Sequence, residues 1–441
     1  MKQVSSFDPI GSEPQTSPKG ELSKFKMALR ALRHRNYRLY FGGQLVSLIG
    51  TWMQMVAQSW LVYRLTGSSF LLGSVGFASQ IPVLLLAFLG GTVADRFNRH
   101  RIIIGTQTAS MVLAFILSIL TLTGTVRMWH IFMLSALLGI VNAFDMTARQ
   151  AFIVELVEKE DLINAIALNS SVFNGARVVG PAAAGVLIAG IGEGWCFFAN
   201  GISFIAVIVG LLLMKLKERS ELAAHGRSAI SNVLEGFRYV RRTRPIRALI
   251  LLLALVSMVG MPYSVLMPIF ADGILHGGPR GMGILMGATG LGALAGAMSL
   301  AIRSGTRGLG KVVACASAGF GTSLILFSIS RSFWLSALFL FPVGFCLMVN
   351  MAATNTLIQT MVPDNLRGRV MAVHVMMFMG MAPFGSFSAG AIAARVGAPM
   401  AISMGAVLCL IGSGLFMSRL PGLQLVTNHP IRTHMDEPES M

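Results

Sequence analysis

The sequence predicts an all-α membrane protein with twelve transmembrane helices in two pseudo-symmetric six-helix bundles, and three observations carry this. The chain is 54% hydrophobic and only 12% charged, where soluble domains carry about 25% charged residues, and its mean hydropathy is +0.70. Twelve stretches reach the roughly 20 mostly apolar residues that one helix needs to cross a bilayer. The segments between them alternate between nearly neutral and basic, as when every second loop stays on the cytoplasmic side.

In chain order, residues 1–22 are polar and rich in Ser, Pro and Gly, without an apolar core long enough for a signal peptide. They read as a disordered cytoplasmic tail. Residues 23–38 alternate Lys24, Lys26, Arg30, Arg33, Arg35 and Arg38 with Phe25, Leu29 and Leu32, the pattern of a basic amphipathic helix lying on the membrane face. The spans are expected near 39–64, 70–94, 102–123, 129–148, 162–190, 195–214, 247–271, 280–302, 310–329, 333–358, 367–391 and 398–418. This gives a first bundle over 39–214, a cytoplasmic linker over 215–246, a second bundle over 247–418 and a polar tail over 419–441. The N-terminus, 95–101, 215–246 and 303–311 are the basic segments, so both termini are expected in the cytoplasm.

The net charge of +17 sits in these loops, which makes it a topology signal rather than a nucleic-acid footprint. In the linker, Arg238, Arg241, Arg242, Arg244 and Arg247 recur among apolar residues at helical spacing, a surface helix solvated at the lipid headgroups. The four cysteines, Cys196, Cys315, Cys346 and Cys409, are scattered through apolar runs, so neither a disulfide framework nor a metal site follows. No P-loop is present, which excludes a self-contained ATP-driven pump.

An internal repeat supports two halves. The run from Leu162 through Gly180, Pro181 and Gly185 parallels that from Leu366 through Pro383, Gly385 and Gly390, at an offset of roughly 204 residues. Spans five and eleven are therefore equivalent members of parallel repeats.

Several residues stand out against this background. The loop from Gly91 to Arg101 places Asp95, Arg96 and Arg99 between two apolar runs. Asp145 and Arg149 end span four and would join those charges at the cytoplasmic mouth. In span five, Asn169, Gly175, Arg177, Gly180, Pro181 and Gly185 share one helix. The small residues make a close helix–helix face and the proline allows a bend. Glycines 283, 287, 290, 292 and 296 of span eight offer a matching face. Arg177 lies near mid-bilayer, where a charge needs water or a partner; it is either a structural pair with a carboxylate or free carbonyls, or a contact for an anionic or polyphenolic molecule. Thr51, Gln54 and Gln58 share a face of span one. Asn142 in span four, Tyr263 in span seven, and Asn350 and Asn355 in span ten complete the candidate polar pathway. Carboxylates within the spans are confined to Asp145 and the outer-end Asp272, with His374 as a further titratable group, so no proton carrier is named.

The Gly-x-x-x-Asp-Arg-x-x-Arg pattern at Gly91–Arg99 resembles the loop between the second and third helices of major facilitator superfamily transporters. The Gly180-Pro181 segment resembles the fifth-helix motif of the superfamily's antiporters, with Ala176 and Ala184 where that motif often has Gly. The stretches Arg33–Arg38, Leu48–Gln54, Asn142–Gln150 and Asn169–Pro181 are similar to the branch containing the bacterial enterobactin exporter and related siderophore or drug efflux carriers, over roughly residues 27–420. The resemblance implies an inner-membrane exporter powered by the proton gradient, with no other cofactor, working by alternating access on a small-molecule substrate. It also implies a cavity lined by spans one, four, seven and ten, and a latch of opposite charges around Asp95 when the cytoplasmic side is shut. The chain is expected to act as a monomer among membrane lipids, without nucleic acid. A lysolipid flippase or an importer is the alternative within transport. A membrane enzyme would need His, Asp or Glu at catalytic or metal spacing within the spans, and none is found; a scaffold or sensor would leave the intramembrane polar residues without a use.

Overall fold

The computed structural model describes residues 30–215, 229–303 and 305–427. The tail at 1–22, the first part of the basic stretch at 23–29, linker residues 216–228 and the end at 428–441 lie outside the described residues. Among the described residues, twelve helices are long and apolar enough to cross a membrane. Span one is Arg35–Thr66, two Ser69–Arg96, three Arg99–Leu122, four Met128–Leu156, five Leu162–Ile191 and six Glu193–Leu212. Span seven begins at Arg244, and spans eight to twelve are Gly278–Ile302, Leu309–Ile329, Phe333–Met361, Asp364–Val396 and Ala398–Thr427.

Local chemistry sets these ends. Gly67 closes span one in a left-handed conformation (φ 59°), which a residue without Cβ adopts at no steric cost. One residue later the Ser68 hydroxyl accepts the Leu71 N–H at 3.3 Å and caps span two. Asn98 does the same for span three, accepting from the Arg101 N–H at 3.3 Å.

Three elements differ from the sequence expectation. Span four runs on to Leu156 rather than stopping at 148, because its polar residues are neutralised inside the protein: Arg149 pairs with Asp145 and Glu155 with Arg99. Span seven is discontinuous. A regular helix over Arg244–Leu255 gives way to a π-helical turn at Val256–Gly260, a 3-10 turn at Met261–Ser264 and a second π turn at Ile269–Ile274. Pro262 and Pro268 supply no N–H to the ladder, which breaks it at both places. The basic stretch before span one is not a separate helix up to residue 38. Arg30–Arg33 form a 3-10 turn and Arg35 already lies in span one.

That turn is fastened down. The buried Asp161, just before span five, takes Arg30 Nε at 2.8 Å, Arg33 Nη2 at 2.8 Å and His34 Nε2 at 2.7 Å. Asn164 Oδ1 accepts the Ala31 N–H at 2.9 Å, and the Tyr37 hydroxyl donates to the Ala165 carbonyl at 2.8 Å. The second half repeats the arrangement. The linker helix Ala229–Arg242 precedes span seven and docks on the start of span eleven, with Glu235 paired to Arg369 at 2.5 Å. The close approach needs Gly236, where an added Cβ would lie 2.5 Å from the Arg369 carbonyl oxygen. The linker helix is therefore packed on one side rather than lying free at the headgroups.

The bundles meet along two seams, span five against eight and span two against eleven. At the first, a Cβ on Gly185 would sit 3.0 Å from Gly283 Cα and 2.9 Å from the Pro279 carbonyl oxygen. At the second, a Cβ on Gly73 would sit 2.8 Å from Gly390 Cα. Glycine pairs of this kind let helix backbones touch where lipid offers no hydrophobic drive to associate. The two crossings occupy equivalent places in the repeat. Phe77 packs edge-on against Phe384 and at a tilt against Phe387 (centroids 6.0 and 5.7 Å apart) and extends the second seam inward. Both seams close the end remote from the Arg30–Arg33 turn and the linker helix, where the Tyr63 hydroxyl also donates to Asp272 Oδ2 at 3.2 Å. At the opposite end the ion pairs of Arg30, Arg33 and Arg99 stay within the first half, and those of Arg367 and Arg369 within the second.

Candidate transport pathway

At the inner edge of the first seam, four side chains from both bundles converge. Arg177 of span five carries its guanidinium over the Trp52 ring of span one, 5.8 Å from the centroid. The buried hydroxyl of Tyr263 in span seven faces it, close to Thr289 of span eight. The discontinuity of span seven is what presents Tyr263 here, since it lies in the 3-10 turn between the two π turns. Among the described residues no carboxylate pairs with Arg177. Of the two sequence readings of this residue, the pair with a carboxylate is not formed.

A second polar centre lies inside the first bundle. Asp145 and Arg149, one helical turn apart on span four, pair through Asp145 Oδ2 and Arg149 Nε at 3.0 Å. Asp145 Oδ1 accepts from the Thr106 hydroxyl at 2.7 Å and from Gln107 Nε2 at 2.9 Å. Arg149 donates onward to Gln44 Oε1 of span one. The network ties spans one, three and four together, and Asp145, Gln44 and Gln107 are all buried.

This centre is separate from the charges at the helix ends, which corrects the expectation of one cluster. Arg99 pairs with Glu155 Oε1 at 2.7 Å and more loosely with Asp95 Oδ1 at 3.5 Å. It also donates to the Ala94 carbonyl at 3.0 Å. Glu155 is ten residues beyond Asp145 on the same helix, ~15 Å along its axis. The Asp95 side chain is 65% exposed and Arg96 is exposed; both belong to the unsealed end, and Asp95 reaches no residue of the opposite bundle. Gly91 has open space around it, and its neighbour Gly90 makes the packing contact instead, with an added Cβ 2.6 Å from the Ala143 carbonyl oxygen. Glu155 escaped sequence reasoning because the fourth span was expected to stop before it.

Several predicted pathway residues knit helices within a bundle. Gln54 Oε1 accepts from Asn200 Nδ2 at 2.7 Å, and Gln58 Nε2 donates to the Ser135 hydroxyl at 2.8 Å. Asn350, fully buried, donates to the Ser317 hydroxyl at 2.5 Å and the Val313 carbonyl at 3.3 Å. Gln54 and Asn350 are thus corrected from pathway to helix–helix contacts, the usual fate of an amide between spans. Thr51 is exposed and bonds back to the Ser47 carbonyl at 2.9 Å. Asn142 is exposed on span four, and Asn169 and Asn355 are half-buried. Of the packing motif, Gly180 meets span one (an added Cβ 2.5 Å from Trp52 Cβ) and the Pro181 carbonyl meets Gly283, but Gly175 has nothing within 4 Å and is not a contact. In span eight, Gly283 and Gly290 face span five while Gly292 and Gly296 face span ten. His374 is buried with neither ring nitrogen partnered, and no group of His, Cys, Asp or Glu suited to a metal occurs among the described residues.

The internal repeat relates the polar centres. Spans three and nine begin at Arg99 and Leu309, and spans four and ten at Met128 and Phe333. On that register Gln107 matches Ser317, Asp145 matches Asn350 and Arg149 matches Thr354. The donor–acceptor contact between the two helices recurs in both halves, charged in the first and neutral in the second.

The family model MFS_3, described as transmembrane secretion effector, matches residues 26–440. The chain is 26% identical over 351 residues to the staphyloferrin A transporter of Staphylococcus aureus, covering 79% of this chain and 87% of the relative. It is also 26% identical over 392 residues to the multidrug efflux pump Tap of Mycolicibacterium fortuitum, covering 86% and 94%. In architecture it is similar to a point mutant of the nucleoside transporter NupG, with a TM-score of 0.70 at 13% identity, over 89% of this chain and 99% of that one. With twelve spans in two repeated bundles and a family match over nearly its whole length, the chain belongs to the transmembrane secretion effector family of major facilitator superfamily transporters.

Proposed function

We propose that the protein is a proton-driven exporter of amphipathic small molecules, siderophores or drugs, that works by alternating access in the bacterial inner membrane with both termini cytoplasmic. The observation that carries this reading is the one-sided closure of the bundle interface. Both glycine seams and the Tyr63–Asp272 contact lie at the remote end, while the ion pairs at the end with the basic turn and the linker helix each stay within one half. The basic residues of that end support a cytoplasmic placement, with the cleft open inward and loading from the cytoplasm. Export is supported by the likeness to a protein named as an efflux pump. The coupling group is Asp145, the buried carboxylate of the membrane interior, whose protonation would release Arg149 and with it the tie between spans one, three and four.

The test is uptake into inverted membrane vesicles, with radiolabelled erythromycin as probe. An imposed pH gradient, acid inside, drives the label in, and a protonophore collapses the uptake. Uptake that ignores the gradient sinks the coupling. Accumulation by intact expressing cells in place of reduced retention reverses the direction and makes the protein an importer.

A further inference from the structure

We propose that Arg177 is the anchor for a carboxylate on the transported molecule, so that the site prefers an organic anion with an aromatic or apolar body over a neutral or cationic one. This rests on reading the bundle interface as the transport pathway and adds the charge class of the cargo.

Arg177 stands fifteen residues into span five, which begins at Leu162 and ends at Ile191, ~22 Å from one end of the helix and ~21 Å from the other. A cation at that depth is costly unless a partner or water satisfies it. The partners it has are neutral: the Trp52 ring at 5.8 Å and the Tyr263 hydroxyl. A guanidinium carries five N–H donors in a planar fork, and a ring face and one hydroxyl oxygen leave most of them unused. The interior carboxylate, Asp145, is already held by Arg149, Thr106 and Gln107. The second bundle has Asn350 at the equivalent place. Among the described residues the pathway therefore holds a surplus positive charge with no carboxylate paired to it.

The position adds direction to the charge. The Arg177 carbonyl oxygen would lie 3.0 Å from a Cβ on Gly290, so the residue sits where the sealed seam ends and the open part begins. It is half-buried rather than enclosed. A carboxylate there would accept two parallel N–H bonds from the guanidinium, with the Trp52 ring and the Tyr263 ring as apolar walls. It would touch Arg177 and Trp52 from one bundle and Tyr263 and Thr289 from the other. A lipophilic cation would meet a like charge at the same point.

The experiment uses the full-length protein in nanodiscs and three probes: 3-hydroxy-2-naphthoate, its neutral amide and tetraphenylphosphonium. Calorimetric titration is expected to show the naphthoate binding at least tenfold more tightly than the amide. Arg177→Gln removes that preference, Arg177→Lys keeps part of it, and Tyr263→Phe lowers it by a smaller factor. Equal binding of naphthoate and amide by the unaltered protein overturns the proposal, as does an unchanged ratio in Arg177→Gln. If Arg177→Gln does not fold, an unchanged ratio in both Arg177→Lys and Tyr263→Phe overturns it. The pathway reading fails differently. A protein that exports erythromycin or tetraphenylphosphonium but ignores the naphthoate keeps its pathway and loses the anchor, whereas one that moves no probe loses both.

Discussion

Substituting Gly185 by Ala puts a methyl group into a close backbone contact of the span five–eight seam. The new Cβ would lie 2.9 Å from the Pro279 carbonyl oxygen and 3.0 Å from Gly283 Cα. Comfortable separations there are about 3.5–4.0 Å. Both neighbours are backbone, so no rotamer change relieves the clash and the two helices must move apart by roughly 0.5–1 Å. Overpacking of this kind costs about 1–3 kcal/mol, and the cost falls only on the state in which the remote end is shut. The equilibrium should shift towards the state open at that end by roughly 5- to 150-fold. Gly175→Ala is the matched control in the same helix. Nothing lies within 4 Å of its added Cβ, so it should stabilise the helix by about 0.5–1 kcal/mol and shift nothing. Spin labels at Thr125 and Arg331, both exposed in remote-end loops, report the gap by pulsed electron resonance once the exposed Cys315 is replaced. A longer-distance population should grow in Gly185→Ala alone. Identical distance distributions in Gly185→Ala and the parent, or equal shifts in both variants, would refute the seam as the closed gate.

Three further outcomes follow from named contacts. Asp145→Asn leaves Arg149 buried without its counter-charge and should cost about 3–5 kcal/mol, lowering the calorimetric midpoint. Asp145→Asn/Arg149→Gln should recover most of that stability while pH-driven uptake stays lost. Asn350→Ala removes two buried donations, to the Ser317 hydroxyl and the Val313 carbonyl, and should cost about 1–3 kcal/mol. Because Asn350 is not on the pathway, titration should find substrate affinity unchanged. Asp95→Asn removes an exposed 3.5 Å pair and should change stability by less than about 1 kcal/mol. A fall in vesicle uptake with an unmoved midpoint would then report contacts Asp95 makes in the opposite state.

The fold was legible because its signal is cumulative. Twelve apolar runs and a charge alternation leave few other architectures, and the start of span five at Leu162 was read to the residue. Places where polar residues run inside helices were read less well. Span four was cut short at its charges because a neutralising partner, such as Glu155 for Arg99, is distant in sequence. The site was legible in part. Arg177 and Tyr263 stood out, one as an intramembrane cation and one as a hydroxyl in span seven, and they meet. Gln54 and Asn350 looked equally promising, since helical spacing tells which residues share a face but not whether that face meets a neighbour or the cleft. Trp52 and Thr289 carried no sequence signal, because an aromatic ring or a threonine in a span is ordinary.

The uneven decoration of a duplicated scaffold has a consequence for how such a molecule turns over. Where the first half braces its third and fourth helices with Gln107 and the charged Asp145, the second braces the equivalent pair with Ser317 and Asn350. Amide and hydroxyl braces do not respond to acidity in the physiological range. If Asp145 couples transport to protons as proposed, the first half carries the responsive brace while the brace between spans nine and ten stays neutral throughout the stroke.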